Sequence, residues 1–160
     1  MASVLFVCMG NICRSPMAEA VFRAYARHAA PELPIDVDSA GTHDYHIGSA
    51  PDPRARRVAA GHGIDMSGLR ARVLCLPDFE RFEWIVAMDR QNMQAARRLA
   101  PSERRERVRL LLDYAPQQPL REVPDPYYGE TADFELVLEL TQQAAPGLLQ
   151  FLRSELAKTY

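Results

Sequence analysis

Near its start the chain runs Val4-Leu5-Phe6-Val7, then Cys8-Met9-Gly10-Asn11-Ile12-Cys13-Arg14-Ser15, then Pro16-Met17-Ala18-Glu19. Four consecutive apolar residues read as a strand buried on both faces. Ser15-Pro16 reads as a helix start, a hydroxyl N-cap followed by proline at the first helical position, where its missing N–H costs nothing. A strand, a tight loop and a helix N-terminus make an anion cradle, because backbone N–H groups converge there and the helix dipole favours negative charge. Neither nucleotide fingerprint, G-x-x-x-x-G-K-[ST] or G-x-G-x-x-G, is present.

In their place the loop opens on Cys8 and closes on Arg14. Features that hold a phosphate also favour a thiolate, so Cys8 is the candidate nucleophile. Arg14 offers a planar fork to two phosphate oxygens, which lysine cannot match. Met9, Gly10, Asn11, Ile12 and Cys13 supply the amides that would hold the anion. Asn11 tolerates a left-handed backbone and Gly10 nearly any, as a tight nest requires. Ser15 can donate to the sulfur when it departs. The plainer alternative is a cysteine ending a buried strand, with an arginine capping something nearby. The flanking strand and Ser-Pro helix start favour the nucleophile.

Further along, a helix follows to near Pro31, with Met17, Val21, Ala24, Tyr25 and His28 at helical spacing. Ile35-Asp36-Val37-Asp38-Ser39 alternates like a half-exposed strand, and a loop runs from Ala40 to Gly48. Asp52-Pro53 starts a second helix to about Ala60, with Arg54-Ala55-Arg56-Arg57 as a solvated face. Arg70 and Arg72 read as surface residues. Trp84-Ile85-Val86-Ala87-Met88 is a buried strand, Asp89 the N-cap of a helix to about Ala100, and Val108-Arg109-Leu110-Leu111-Leu112 a fourth strand. The proline-rich stretch 113–129 is too long for a plain connector and so a functional candidate. A last helix spans Phe134 to Leu152, and Pro146-Gly147 should kink or interrupt it. Alternating strands and helices imply an α/β fold with a doubly wound parallel sheet and helices on both faces. In such sheets ligands bind beyond the carboxyl ends of the strands. Cys8, Tyr45, Asp89 and Asp125 each follow a different strand.

The length of 160 residues and 48% hydrophobic content suit a single domain, 1–160. No apolar run spans a membrane, and no basic-then-apolar leader precedes the first strand. A formal charge of −2 argues against nucleic acid as an obligate partner. Three cysteines without zinc spacing imply no metal and a reducing, cytoplasmic setting, with export by an unrecognised route left open.

A thiolate attacking a phosphate monoester benefits from a proton donor at the leaving oxygen, and Asp125 and Asp89 are the carboxylates in reach of the strand ends. Spacing alone explains Asp125 as an Asp-Pro turn and Asp89 as a cap. Tyr45, Tyr127 and Tyr128 could wall a slot for a flat leaving group or be surface residues, with Tyr128 the most easily placed outside.

The segment from Val7 to Ala20 resembles the signature of the low-molecular-weight protein tyrosine phosphatases. Ser39-Ala40-Gly41-Thr42, Pro51-Asp52-Pro53-Arg54-Ala55, His62-Gly63-Ile64, Met88-Asp89 and Asp125-Pro126-Tyr127-Tyr128-Gly129 extend the resemblance over essentially the whole chain. It implies a four-stranded sheet of order 2-1-3-4 and no cofactor. Asp125 becomes the general acid, Tyr45 and Tyr127 the walls around a phenol ring, and Ser39 and His62 residues that hydrogen-bond around the loop asparagine. The implied activity is hydrolysis of phosphotyrosine in proteins through a cysteinyl-phosphate, with inorganic phosphate or other oxyanions as product or inhibitor. Two rivals share the fold. A thiol-dependent arsenate reductase needs more cysteines than Cys75 supplies, and an arginine phosphatase carries threonine where Ile12 stands. A phosphoprotein-binding module would leave Cys8, Arg14 and Asp125 together unexplained.

Overall fold

Alternation along the first strand sorts the core into two. The computed structural model describes residues 1–159. Strand β1 (Ala2–Cys8) sends Val4, Phe6 and Cys8 to one face of the sheet and Leu5 and Val7 to the other. All seven of its residues are buried, as a central parallel strand with covered faces must be. Strands β2 (Ile35–Gly41), β3 (Trp84–Ala87) and β4 (Val108–Leu110) complete a parallel sheet of order β2-β1-β3-β4. The order departs from chain order on either side of β1, so the crossovers leave a crevice at the carboxyl end of β1.

On the Phe6 face lie helices α1 (Arg14–Ala29), α2 (Pro53–Gly61) and α5 (Thr131–Thr159), which bury Met17, Phe22, Ala55, Val58, Phe134 and Leu138. Phe6 and Phe22 meet edge to face at 5.8 Å. Burying each stabilises the fold by about 1.5–3 kcal/mol. The Leu5 face is covered by α3 (Asp78–Arg81), the adjoining Phe82 and α4 (Arg90–Leu99), with Phe79, Phe82 and Ala96 in the same cluster as Ile85 and Val108. Asp52 and Asp89 cap α2 and α4, their carboxylates accepting from the N–H groups of Arg54 and Asn92.

Four expectations need correction. Ser15 is not an N-cap: α1 begins at Arg14, after Cys13, without a side-chain cap. The first helical bond runs from the Met17 N–H to the Cys13 carbonyl, so Pro16 still displaces no donor. The second strand continues through Gly41, because its end runs beside the Cys8 loop; a Cβ at Gly41 would sit 2.7 Å from the Met9 carbonyl oxygen. β4 stops at Leu110, and Leu111–Tyr114 winds into a 3-10 turn. Finally, α5 continues unbroken through Pro146. Ala144, Ala145, Leu148 and Leu149 are buried on either side of it, and Gly147 admits the Tyr114 carbonyl where a side chain would collide. Packing outweighs the local break. No helix among the described residues is long and apolar enough to cross a membrane.

Candidate active site

Past the end of β1, residues 8–15 turn sharply into α1. Asn11 takes φ 57°, the left-handed conformation expected of it. Gly10 does not; it is small because a Cβ there would meet the His46 ring at 3.0 Å. The loop's carbonyls are committed to the protein. Cys8, Met9, Ile12 and Cys13 oxygens accept from the N–H groups of Thr42, His43, Asp52 and Met17. Among the described residues, none of the N–H groups of residues 9–13 donates to the chain, although Asn11, Ile12 and Cys13 are buried. A row of unspent buried donors beside a helix N-terminus is a nest for an anion.

A buried polar chain sets the geometry beneath the nest. Asn11 Nδ2 donates to Ser15 Oγ at 2.8 Å and to Ser39 Oγ at 2.9 Å, and its Oδ1 accepts from the Arg72 backbone N–H at 3.0 Å. Ser39 in turn donates to Glu19 Oε1 at 2.7 Å. With its oxygen already accepting from Asn11, the Ser15 hydroxyl has one proton to place. Cys8 Sγ stands 3.0 Å away and the Ala40 carbonyl 3.5 Å, so the sulfur is the nearer acceptor. The Asn11 side chain therefore braces the loop from below, and Asn11 is not among the residues lining the pocket's walls.

Arg14 is buried, and its Nη1 is held by Asp89 Oδ2 at 2.6 Å and by the Val123 carbonyl at 3.0 Å. Burial disfavours its charge, but the negative charges of Cys8, Asp89 and Asp125 more than offset that, so the guanidinium is held above its ordinary value. Nη2 faces Asp125 Oδ2 at 3.8 Å, leaving one edge of the fork for a ligand. Burial, joined by the negative charges of Asp52, Cys8 and Asp125, pushes the Cys13 thiol far above its usual range. Cys13 stays neutral beside a loop built for one negative sulfur.

These parts open into a pocket of about 290 Å³ lined by Cys8, Met9, Gly10, Ile12, Cys13, Arg14, Tyr45, His46, Asp125, Tyr127 and Tyr128. Cys8 lies at its floor, 3% exposed. Rings run along the rim: Tyr45 meets His46 at 6.5 Å, His46 meets Tyr127 at 6.1 Å, and Tyr127 meets Tyr128 at 4.9 Å. Tyr128 is 96% exposed and touches only the mouth. A larger depression of about 580 Å³ over Pro53, Arg56, Arg57 and the 63–67 turn has no cysteine among its lining residues. Among the described residues, no group of three or more His, Cys, Asp or Glu is arranged to hold a metal ion.

Ser39 meets the loop asparagine as expected, but His62 does not. It caps the end of α2 at the surface, where Nε2 lies 3.0 Å from Glu135, and the Arg72 N–H takes its expected place on Asn11. Arg72 itself is no free surface residue, since it bridges Asp38 and Asp78. Asp89 does more than cap a helix, because its second oxygen orients Arg14. His46, one residue past Tyr45 in the same loop, also lines the pocket, and its adjacency to Tyr45 is the sequence signal for it.

Residues 3–158 match the family model described as low molecular weight phosphotyrosine protein phosphatase. A low molecular weight protein-tyrosine-phosphatase of Streptomyces coelicolor is 46% identical over 95% of this chain and 94% of its own length. YfkJ of Bacillus subtilis, likewise so named, is 41% identical over 97% of this chain and 98% of its length, and its crystal structure superposes with a TM-score of 0.90. A protein tyrosine phosphatase from Entamoeba histolytica, crystallised with Hepes in its active site, superposes with a TM-score of 0.93 at 34% identity, covering 97% of this chain and 99% of that one. With the family model matched from residue 3 to 158 and the fold shared over nearly its full length, the chain belongs to the low molecular weight phosphotyrosine protein phosphatase family and is an enzyme of that hydrolase class.

Proposed function

We propose that the chain hydrolyses phosphotyrosine in protein substrates by a two-step displacement through a cysteinyl-phosphate. In the first step the Cys8 thiolate attacks phosphorus while the amides of residues 9–13 and the free edge of Arg14 hold the three non-bridging oxygens. The P–O bond to the ring breaks, and Asp125 delivers its proton to the departing phenolate. In the second step Asp125, now a carboxylate, takes a proton from water. That water attacks phosphorus, the S–P bond breaks, and the Ser15 hydroxyl donates to the departing thiolate. Inorganic phosphate is released, and it and similar oxyanions should compete for the nest. Donors fixed in advance on developing charge are worth about 100- to 1,000-fold each. The proton donor adds roughly 100- to 10,000-fold.

The observation that carries this reading is the convergence of Cys8, the open edge of Arg14 and Asp125 in one aromatic-rimmed pocket. Its buried floor supports a preference for phosphotyrosine. Only a phosphate on a long flat arm reaches Cys8 before the peptide meets the rim. Each well-placed ring adds about 0.5–1.5 kcal/mol beyond area burial. Because the nucleophile must remain a free thiol, the reducing cytoplasm is the setting proposed. The test is kcat/KM on matched phosphotyrosine and phosphoserine peptides, with Tyr45→Ala beside wild type. Phosphotyrosine should win by at least about a hundredfold, roughly 2.7 kcal/mol in the barrier. Comparable rates overturn the deep-pocket reading, and unchanged selectivity in Tyr45→Ala removes that wall from it.

A further inference from the structure

The basic run that opens α2 is not uniformly solvated. Ala55 is fully buried, and Arg54 turns back across the pocket's outer wall. Its guanidinium grips the Asp52 carboxylate as a fork, Nε to Oδ1 at 3.1 Å and Nη2 to Oδ2 at 2.9 Å. The same group donates from Nη2 to the Tyr127 carbonyl at 2.9 Å and from Nη1 to the Gly129 carbonyl at 3.4 Å. Beneath it the Phe134 ring lies 4.6 Å away, fixing the plane of the fork. Asp52 for its part donates its N–H to the Ile12 carbonyl at 2.8 Å. The Arg54 hydrogen bonds hold the Asp52 carboxyl below the usual carboxylate range, against the opposing effect of burial.

One continuous set of bonds thus runs from the Cys8 loop, through Asp52 and Arg54, to the segment that carries Asp125. That segment needs such a tie. Its upstream end is fixed, since the Val123 N–H donates to the Met88 carbonyl and the Val123 carbonyl accepts from Arg14. Asp125 itself is 45% exposed and is steadied downstream by the Tyr127 N–H on its Oδ1 at 3.1 Å. Residues 126–129 make a turn of their own, Gly129 N–H to the Pro126 carbonyl. Among the described residues, Arg54 is the one group of another element that hydrogen-bonds to residues 126–129.

We propose that Arg54 is a positioning residue for Asp125: it clamps the backbone beyond the proton donor to the wall of the nucleophile loop, and so sets where the proton is delivered. In this role Arg54 touches neither the phosphate nor the phenol ring of the substrate. A lysine cannot replace it, because one ammonium cannot grip a carboxylate side-on and reach two carbonyls in the same plane. The inference rests on the reading of Asp125 as general acid given above.

A donor displaced by about an ångström loses most of its value, but only when the leaving group needs a proton. The experiment measures kcat/KM, which reports the first chemical step, for phenyl phosphate and 2,4-dinitrophenyl phosphate. It compares wild type, Arg54→Ala, Arg54→Lys, Asp125→Ala and the Arg54→Ala/Asp125→Ala double variant. Arg54→Ala should lose about tenfold or more on phenyl phosphate and less than about twofold on the dinitro ester. In the Asp125→Ala background, Arg54→Ala should add almost nothing, and free guanidinium should restore part of the phenyl phosphate rate to Arg54→Ala. Should Arg54→Ala fail to fold, Arg54→Lys must show the same unequal loss. Equal losses on both esters, or losses that add in the double variant, would overturn the role of Arg54. If Asp125→Ala itself shows no dependence on the leaving group, the general-acid reading fails instead, and the two failures are told apart.

Discussion

Residues 8–15 and residues 124–129 close the same pocket, yet they are held in different ways. In the first, Cys8, Asn11, Arg14 and Ser15 are nearly wholly buried, and Asn11, Ser15, Ser39 and Glu19 form a continuous hydrogen-bonded chain under the sulfur. In the second, Asp125 is 45% exposed, Tyr127 is 36% exposed, and the backbone is tied down from α2 by one arginine. The difference follows the chemistry asked of each. A nest for a dianion must be rigid before substrate arrives, since reorganising dipoles during reaction forfeits their worth. A proton donor has only to meet one oxygen, and the wall that bears it must admit and release a ring. Buried polar networks with every member satisfied suit the first task, and a surface segment on a clamp suits the second.

The largest effect that would sharpen this contrast is on the buried side. Cys8→Ser should cut turnover by at least about a thousandfold while inorganic phosphate still binds, because the nest survives when the nucleophile does not. Activity within tenfold of wild type would remove Cys8 from its role. On the exposed side, Asp125→Ala should slow phenyl phosphate by about 100-fold or more and barely touch esters with good leaving groups. A uniform loss would make Asp125 a structural residue.

Stability should divide the two regions as well. Asn11→Ala deletes three hydrogen bonds, two of them buried and one part-buried, and leaves an alanine at φ 57°. We expect a loss of about 3 kcal/mol, or roughly 6–12 °C in Tm. Tyr128→Ala should change stability by less than about 0.5 kcal/mol. Equal shifts in thermal denaturation would erase the contrast.

The smallest effect concerns acid. Arg54 holds the Asp52 carboxyl below its ordinary value against the pull of burial. Burial raises that of Asp78 too, but the Arg72 and Cys75 bonds prevail and lower it. A lowered folded-state value contributes stability that is fully present above about pH 4 and lost as pH falls through the lowered values. Thermal midpoints should therefore be flat from neutral pH to about pH 4 and fall below it, less steeply in Asp78→Asn. A slope in Asp78→Asn identical to that of wild type would show that this pair contributes nothing to acid sensitivity.

How much of this was legible in the chain differs from residue to residue. Local rules carried the strand at Val4 to Val7, the left-handed Asn11, the caps Asp52 and Asp89, and the identity of Cys8 and Arg14 as one loop, because each depends on neighbours within a few positions. Where local rules stood alone they also misled. A Ser-Pro pair reads as a cap and Pro146 as a break, yet the Ser15 hydroxyl lies beside the sulfur and α5 passes straight through its proline.

Composition, periodicity and the strand-helix alternation determined by themselves that this chain forms a parallel α/β sheet with its chemistry beyond the carboxyl ends. The tertiary structure alone decided which polar side chains meet there. Arg14 finds Asp89 across 75 residues, Asn11 finds Ser39 across 28 and the Arg72 N–H across 61, and Arg54 reaches Tyr127 across 73. No spacing rule links such pairs. The Arg14 and Asn11 pairs form where burial leaves a charged or hydrogen-bonding group with little water to turn to, and the Arg54 contact, at the surface, forms where the fold lays the 126–129 turn beside α2.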